Sequence, residues 1–161
     1  MEMLSKPSAG WTDFRLGKTV YGLSYLTAVP LNWLEQAIHG LETLMPFTVY
    51  GFCEPGAVFC LVGYRKCYII FDREEEEGLS PDDAHFETVD VNMLDFCKSL
   101  YTDINQNIDA WSQWSPAFFE SPEEYHLLHL EEKKKLQMRL DRLEILINEN
   151  TSFFSTNSTS I

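Results

Sequence analysis

The chain has 161 residues, 45% of them hydrophobic and 14% aromatic, and a formal net charge of −13 at pH 7. That apolar share is enough to bury the core of one domain and excludes wholesale disorder, while the negative charge repels phosphate backbones and disfavours nucleic-acid binding. No apolar run approaches the roughly 18 residues of a membrane span, and Met1-Glu2-Met3-Leu4-Ser5-Lys6-Pro7 lacks the long apolar stretch of a secretory signal, so a cytoplasmic location without membrane association is expected.

In chain order, Trp11 to Leu16 and Thr19 to Leu26 are rich in aromatic and β-branched residues and flank Gly17-Lys18, which predicts a strand hairpin. Residues 30–45 predict a helix. Pro30 suits a first helical position, Asn32 with Glu35 offers an alternative capping box, and Leu34, Ala37, Ile38, Leu41, Leu44 and Met45 recur at spacings of three and four. Pro46 ends it, because the residue before a proline is disfavoured in helical geometry.

A meander follows: strands over Phe47–Cys53, Val58–Tyr64 and Cys67–Asp72, with a turn at Glu54-Pro55-Gly56-Ala57 in the type II order and another at Arg65-Lys66. The inner runs are apolar on nearly every residue, which predicts strands covered on both faces. Arg73 to Ala84 reads as an acidic connection, and His85 to Val91 as an edge strand. A second helix is expected from about Asn92 to Trp111, with Met93, Cys97, Leu100, Tyr101, Ile104, Ile108 and Trp111 on one stripe. Ser121-Pro122-Glu123-Glu124 opens a third, with serine as cap, proline at the first position and Glu124 closing a capping box. Its apolar residues fall on two sides: Tyr125, Leu136, Leu140, Leu143 and Ile147 on one, and Leu127, Leu130, Met138 and Ile145 elsewhere. The Ser/Thr/Asn-rich residues 151–161 predict a disordered tail, leaving residues 1–150 as a single domain. The fold class expected is α+β: an antiparallel sheet of four to six strands with two helices packed on it and a C-terminal helix.

The charge is concentrated. Residues 1–71 and residues 126–161 each balance five basic side chains against five acidic ones, whereas residues 72–125 set fifteen acids against Arg73 and Lys98. The entire excess therefore lies in the middle segment, around Glu74, Glu75, Glu76, Glu77, Asp82 and Asp83, and would attract a basic protein surface. A solvated connection that only keeps the domain soluble is the plainer reading of the same run. Trp114, beside Trp111 and ahead of Phe118 and Phe119, is the aromatic expected to be exposed as a binding anchor.

Catalytic and metal chemistry find no matching constellation. Cys53, Cys60 and Cys67 stand seven apart and Cys97 alone, without a two-residue spacing, and each sits among apolar residues as a reduced, inert thiol. His126 and His129 near Glu123 lack the four-residue helical spacing of shared metal ligands. There is no glycine-flanked serine elbow and no phosphate-cradling glycine loop. The expectation is no cofactor, no metal and no enzyme, although a site assembled from separate loops would leave little sequence trace.

The stretch Gly22-Leu23-Ser24-Tyr25-Leu26-Thr27-Ala28-Val29-Pro30-Leu31-Asn32-Trp33-Leu34, a strand leading through proline into a helix and then a strand meander, resembles segments in small immunity proteins of bacterial polymorphic-toxin systems, over about residues 11–110. The resemblance implies a non-enzymatic inhibitor that neutralises a basic toxin domain, often a nuclease in such systems. The alternative is a structural or assembly protein that docks a partner, or a second copy as a homodimer, through the C-terminal helix at residues 121–149.

Overall fold

A computed structural model describes residues 1–72, 85–115 and 121–157. Two antiparallel sheets are present: a hairpin of β1 (Trp11–Phe14) and β2 (Tyr21–Ser24), and a four-stranded meander ordered β3-β4-β5-β6. The strands of the larger sheet are β3 (Phe47–Phe52), β4 (Ala57–Val62), β5 (Cys67–Asp72) and β6 (His85–Val89). Register is continuous: Phe47 faces Val62, Val62 faces Cys67, and Cys67 faces Val89. The fold is therefore the α+β architecture expected, with β3 and β6 at the edges. The β3–β4 turn departs from type II geometry, with a cis Glu54–Pro55 bond and positive φ at Glu54 and Gly56.

Helix α1 (Val29–Thr43) begins at the expected proline and ends on Leu44 in the left-handed region. Asn32 and Glu35 form no capping box, and Glu35 instead accepts from Arg139 Nε at 3.0 Å. Helix α2 (Met93–Gln106) is capped by Asn92, whose Oδ1 accepts from Asp95 N at 2.9 Å. It stops short of Trp111: Asn107 leaves helical geometry at φ −122°, ψ 28°, and a separate turn, α3 (Ile108–Trp111), follows.

One face of the larger sheet is the core face. Val49, Val58, Cys60, Val62, Cys67 and Ile69 point into it and are buried. Trp33 from α1 is the hub, edge-on to Phe14 at 5.3 Å and stacked on Phe96 of α2 at 6.3 Å. Its indole N–H donates to the Tyr50 carbonyl at 2.8 Å, tying α1 to β3. Gly40 lies where a Cβ would overlap the Phe47 ring, so only glycine lets α1 approach the strand this closely. The β1–β2 hairpin covers the other end of the same face, with Tyr21 against Phe71 at 5.3 Å and Leu23 over Gly51.

The long C-terminal helix α4 (Pro122–Asn157) packs on α1 and α2 rather than on the sheet. Its buried stripe is Leu136, Leu140, Leu143, Leu146, Ile147 and Phe154. The helix continues through Thr151–Asn157, where composition predicts a disordered tail. Phe154 is buried there, and the Thr151 and Ser155 hydroxyls donate to the carbonyls of Ile147 and Thr151, so polar residues serve the helix instead of dissolving it. Residues 158–161 lie outside the described residues.

The N-terminus is clipped in place from a hundred residues away. Asp103 of α2 accepts from both Met3 N and Leu4 N at 2.8 Å and is itself buried. Asp103→Ala leaves two buried N–H groups without an acceptor and is expected to destabilise the fold by about 3 kcal/mol, measured as a loss in urea midpoint. Burial lifts the Asp103 carboxyl above its ordinary value, against the two N–H bonds that lower it. The folded chain thus holds this proton to higher pH than the unfolded chain. The associated stability is full below the ordinary carboxyl value and is lost as pH rises through the raised one, a slope that Asp103→Asn removes.

All four cysteines are free; Cys60, Cys67 and Cys97 are buried and Cys53 is half-buried. The hydrogen bond to Cys67, together with burial, holds the Cys60 thiol far above its ordinary value, and burial raises Cys97 and Cys53. Thiol titration is expected to find at most Cys53 reactive in the folded protein and all four after denaturation. Rapid labelling of two or more native thiols would contradict this.

Candidate partner-docking surface

Alternation along each strand sends every second side chain to the opposite face of the larger sheet. On that outer face stand Tyr50 and Phe52 of β3, Phe59 and Leu61 of β4, Tyr68 and Ile70 of β5, and Phe86 of β6, between 36% and 60% exposed. No described helix or strand covers them, because α1, α2 and the β1–β2 hairpin all pack on the inner face. The expectation of strands covered on both faces is therefore corrected. The runs are apolar throughout because apolar residues alternate to both faces, with Val49, Val58, Cys60 and Ile69 inward and Tyr50, Phe59, Leu61 and Ile70 outward.

The outward rings are organised. Tyr50 and Phe59, directly opposed across β3 and β4, stack with centroids 6.0 Å apart and 24° between planes. Tyr68 and Phe86, diagonal neighbours on β5 and β6, stack at 6.3 Å and 26°. Leu61 opposes Tyr68, and Ile70 lies between Phe59 and Phe86. Cross-strand aromatic pairs of this kind hold the rings upright and in register before any partner arrives.

The two ends of the sheet differ in charge. Lysine and arginine are absent from all four strands. At one end lie Arg65 and Lys66, the latter paired with Asp90 at 3.1 Å. At the other, Glu54 sits in the β3–β4 turn, Ala57 faces Asp72, and Phe71 faces His85. Asp72 and His85, the described residues that bracket the acidic run in sequence, both lie at that end. Glu74, Glu75, Glu76, Glu77, Asp82 and Asp83 themselves lie outside the described residues.

Trp114 is not an exposed anchor. It is 4% exposed, its ring lies 5.3 Å from Trp111, and its indole N–H donates to the Thr27 carbonyl at 2.7 Å. The hydrogen bond explains the burial: Thr27, in the β2–α1 connection, offers a carbonyl that the indole satisfies across 87 residues of chain. Trp111 donates likewise to the Asp103 carbonyl at 3.3 Å. Both indoles help to wall a cleft of about 890 Å³ with Gly10, Tyr25, Tyr125 and His129. His129 Nδ1 lies 3.2 Å from the Ser112 carbonyl and its ring meets Tyr125 edge-on, while His126 is exposed. Among the described residues no three His, Cys, Asp or Glu side chains converge as a metal-binding group, and no helix is long and apolar enough to cross a membrane.

Sequence reasoning missed the outer face because a run apolar at every position does not show which of its two sides the rest of the chain covers. The signal was present: large aromatic or aliphatic residues recur at alternate positions (Tyr50, Phe52; Phe59, Leu61; Tyr68, Ile70). Compared with protein-family models, curated proteins and solved structures, the chain matches none.

Proposed function

We propose that this chain is a non-enzymatic protein-binding domain of the immunity-inhibitor kind, which captures a basic protein, such as a toxin domain, on the outer face of its four-stranded sheet. The observation that carries the reading is the uncovered row of aromatic and aliphatic side chains on β3–β6. Contiguous apolar surface rimmed by polar residues marks interaction sites, and Tyr and Phe are enriched in the cores of interfaces. The acids divide the labour with it: long-range charge sets the rate of encounter, and the apolar face sets the lifetime of the complex.

A photo-crosslinking residue placed at Leu61 in the native host is expected to trap one basic polypeptide, and the same residue at Met138 to trap none. Capture from Met138 alone would overturn the reading in favour of docking through α4. A specific observation supports that second arrangement: Leu127, Met138 and Ile145 stand exposed on α4, Met138 at 73%.

Replacing Glu74, Glu75, Glu76 and Glu77 together by glutamine is expected to slow association with the trapped partner and flatten its salt dependence, with a smaller effect on dissociation. Stopped-flow mixing at low and high salt reads both rates. Unaltered association at low salt would reduce the run to a solvated connection.

A further inference from the structure

The outer face also says which basic side chain it suits. From the ring geometry and the charge at its rim we infer that the partner's contact surface presents arginines, whose guanidinium planes lie over the rings of Tyr50, Phe59, Tyr68 and Phe86. This rests on the docking reading above and narrows it to one side-chain chemistry.

Three observations converge. The two ring pairs stand stacked and partly exposed, so each presents a π-face or edge to an incoming group. The four strands carry no lysine or arginine of their own, so no cation of the chain occupies those rings from within the sheet. Two carboxylates stand at one end of the sheet, Asp72 at the end of β5 in register with the outward Tyr68 and Ile70, and Glu54 in the β3–β4 turn. A guanidinium can stack its weakly hydrated plane on a ring and still direct its in-plane N–H donors to a nearby carboxylate. An ammonium is a compact, strongly hydrated charge that must shed water to approach an apolar face. The site therefore favours arginine over lysine at equal charge. A second copy of the chain would bring the same acidic end and no cation on its strands, and a nucleic acid would stack its bases but bring phosphates against those acids.

Two capped peptides of equal length and charge serve as probes, one alternating valine with arginine and the other valine with lysine. They are titrated into the isotopically labelled full chain and followed by amide NMR. Both are expected to shift amides of β3–β6, the arginine peptide binding about tenfold more tightly. The double variant Phe59→Leu/Tyr68→Leu keeps the face apolar but removes two rings. It should retain its urea midpoint and show a clearly smaller preference for the arginine peptide, because one ring of each stacked pair is left.

Equal affinities in the unaltered chain, with shifts on the outer face, would overturn the arginine assignment and leave the docking reading standing. A preference for arginine that survives undiminished in the double variant would also overturn it. Absence of binding, or shifts confined to other surfaces, would overturn both. Shifts on the same face produced by an oligouridine probe, or a dimer in sedimentation that the double variant abolishes, would replace the arginine partner by a nucleic acid or by a second copy.

Discussion

A Phe59→Arg variant is expected to keep its fold and lose its partner. Phe59 sits on the central strand β4 between Tyr50 and Ile70 and is 39% exposed. Its packing cost is limited to cross-strand contacts worth at most about 1 kcal/mol. The urea midpoint should therefore move little. At the centre of a docking surface, by contrast, a truncated aromatic contact costs about 2 kcal/mol or more. Here a positive charge is also brought against a basic partner. Affinity for the trapped partner is expected to fall by at least about thirtyfold. Biolayer interferometry alongside urea denaturation separates the two effects. An unfolded variant would show that the outer face supports the core, and unchanged affinity would remove the face from the interface.

The largest loss of stability is expected one layer down, from Trp33→Ala. Trp33 is fully buried, touches Phe14 and Phe96 with its ring, and bonds the Tyr50 carbonyl. Its removal leaves a cavity at the junction of α1, α2 and the sheet and orphans a carbonyl of an edge strand. Large-to-small changes of this kind cost about 3–5 kcal/mol, a large part of the total stability of a single domain. Urea denaturation followed by far-ultraviolet dichroism should show a midpoint displaced by most of the transition, or a chain already unfolded. A loss near 1 kcal/mol would mean that the hub can collapse around the gap.

Much of this architecture was legible from residues alone. Pro30 and Pro46 bound α1 to within a few positions, Ser121 caps α4 as its neighbours require, and the meander over 47–72 pairs in the expected order. What escaped reading was tertiary in origin. The break at Asn107 depends on Trp111 turning back to bond the Asp103 carbonyl. The fate of Trp114 depends on a carbonyl 87 positions away. The helical course of Thr151–Asn157 depends on a place for Phe154 beneath it, which no local propensity encodes. The uncovered outer face escaped for a further reason: hydrophobicity marks a strand as apolar without saying which of its two sides the rest of the chain can cover.

The alternation along β4 has an evolutionary consequence. Phe59 and Leu61 meet the outside, while Val58, Cys60 and Val62 meet the core. If the outer face docks a partner as proposed, adjacent codons in one short strand answer to separate selective pressures. On that reading, a lineage can redraw the outward positions to follow a changing partner at a cost in stability limited to their cross-strand contacts, at most about 1 kcal/mol each. The inward positions are held fixed by packing. Under the proposed function, the pleat separates recognition from folding, so that specificity drifts by single substitutions while the scaffold stays the same.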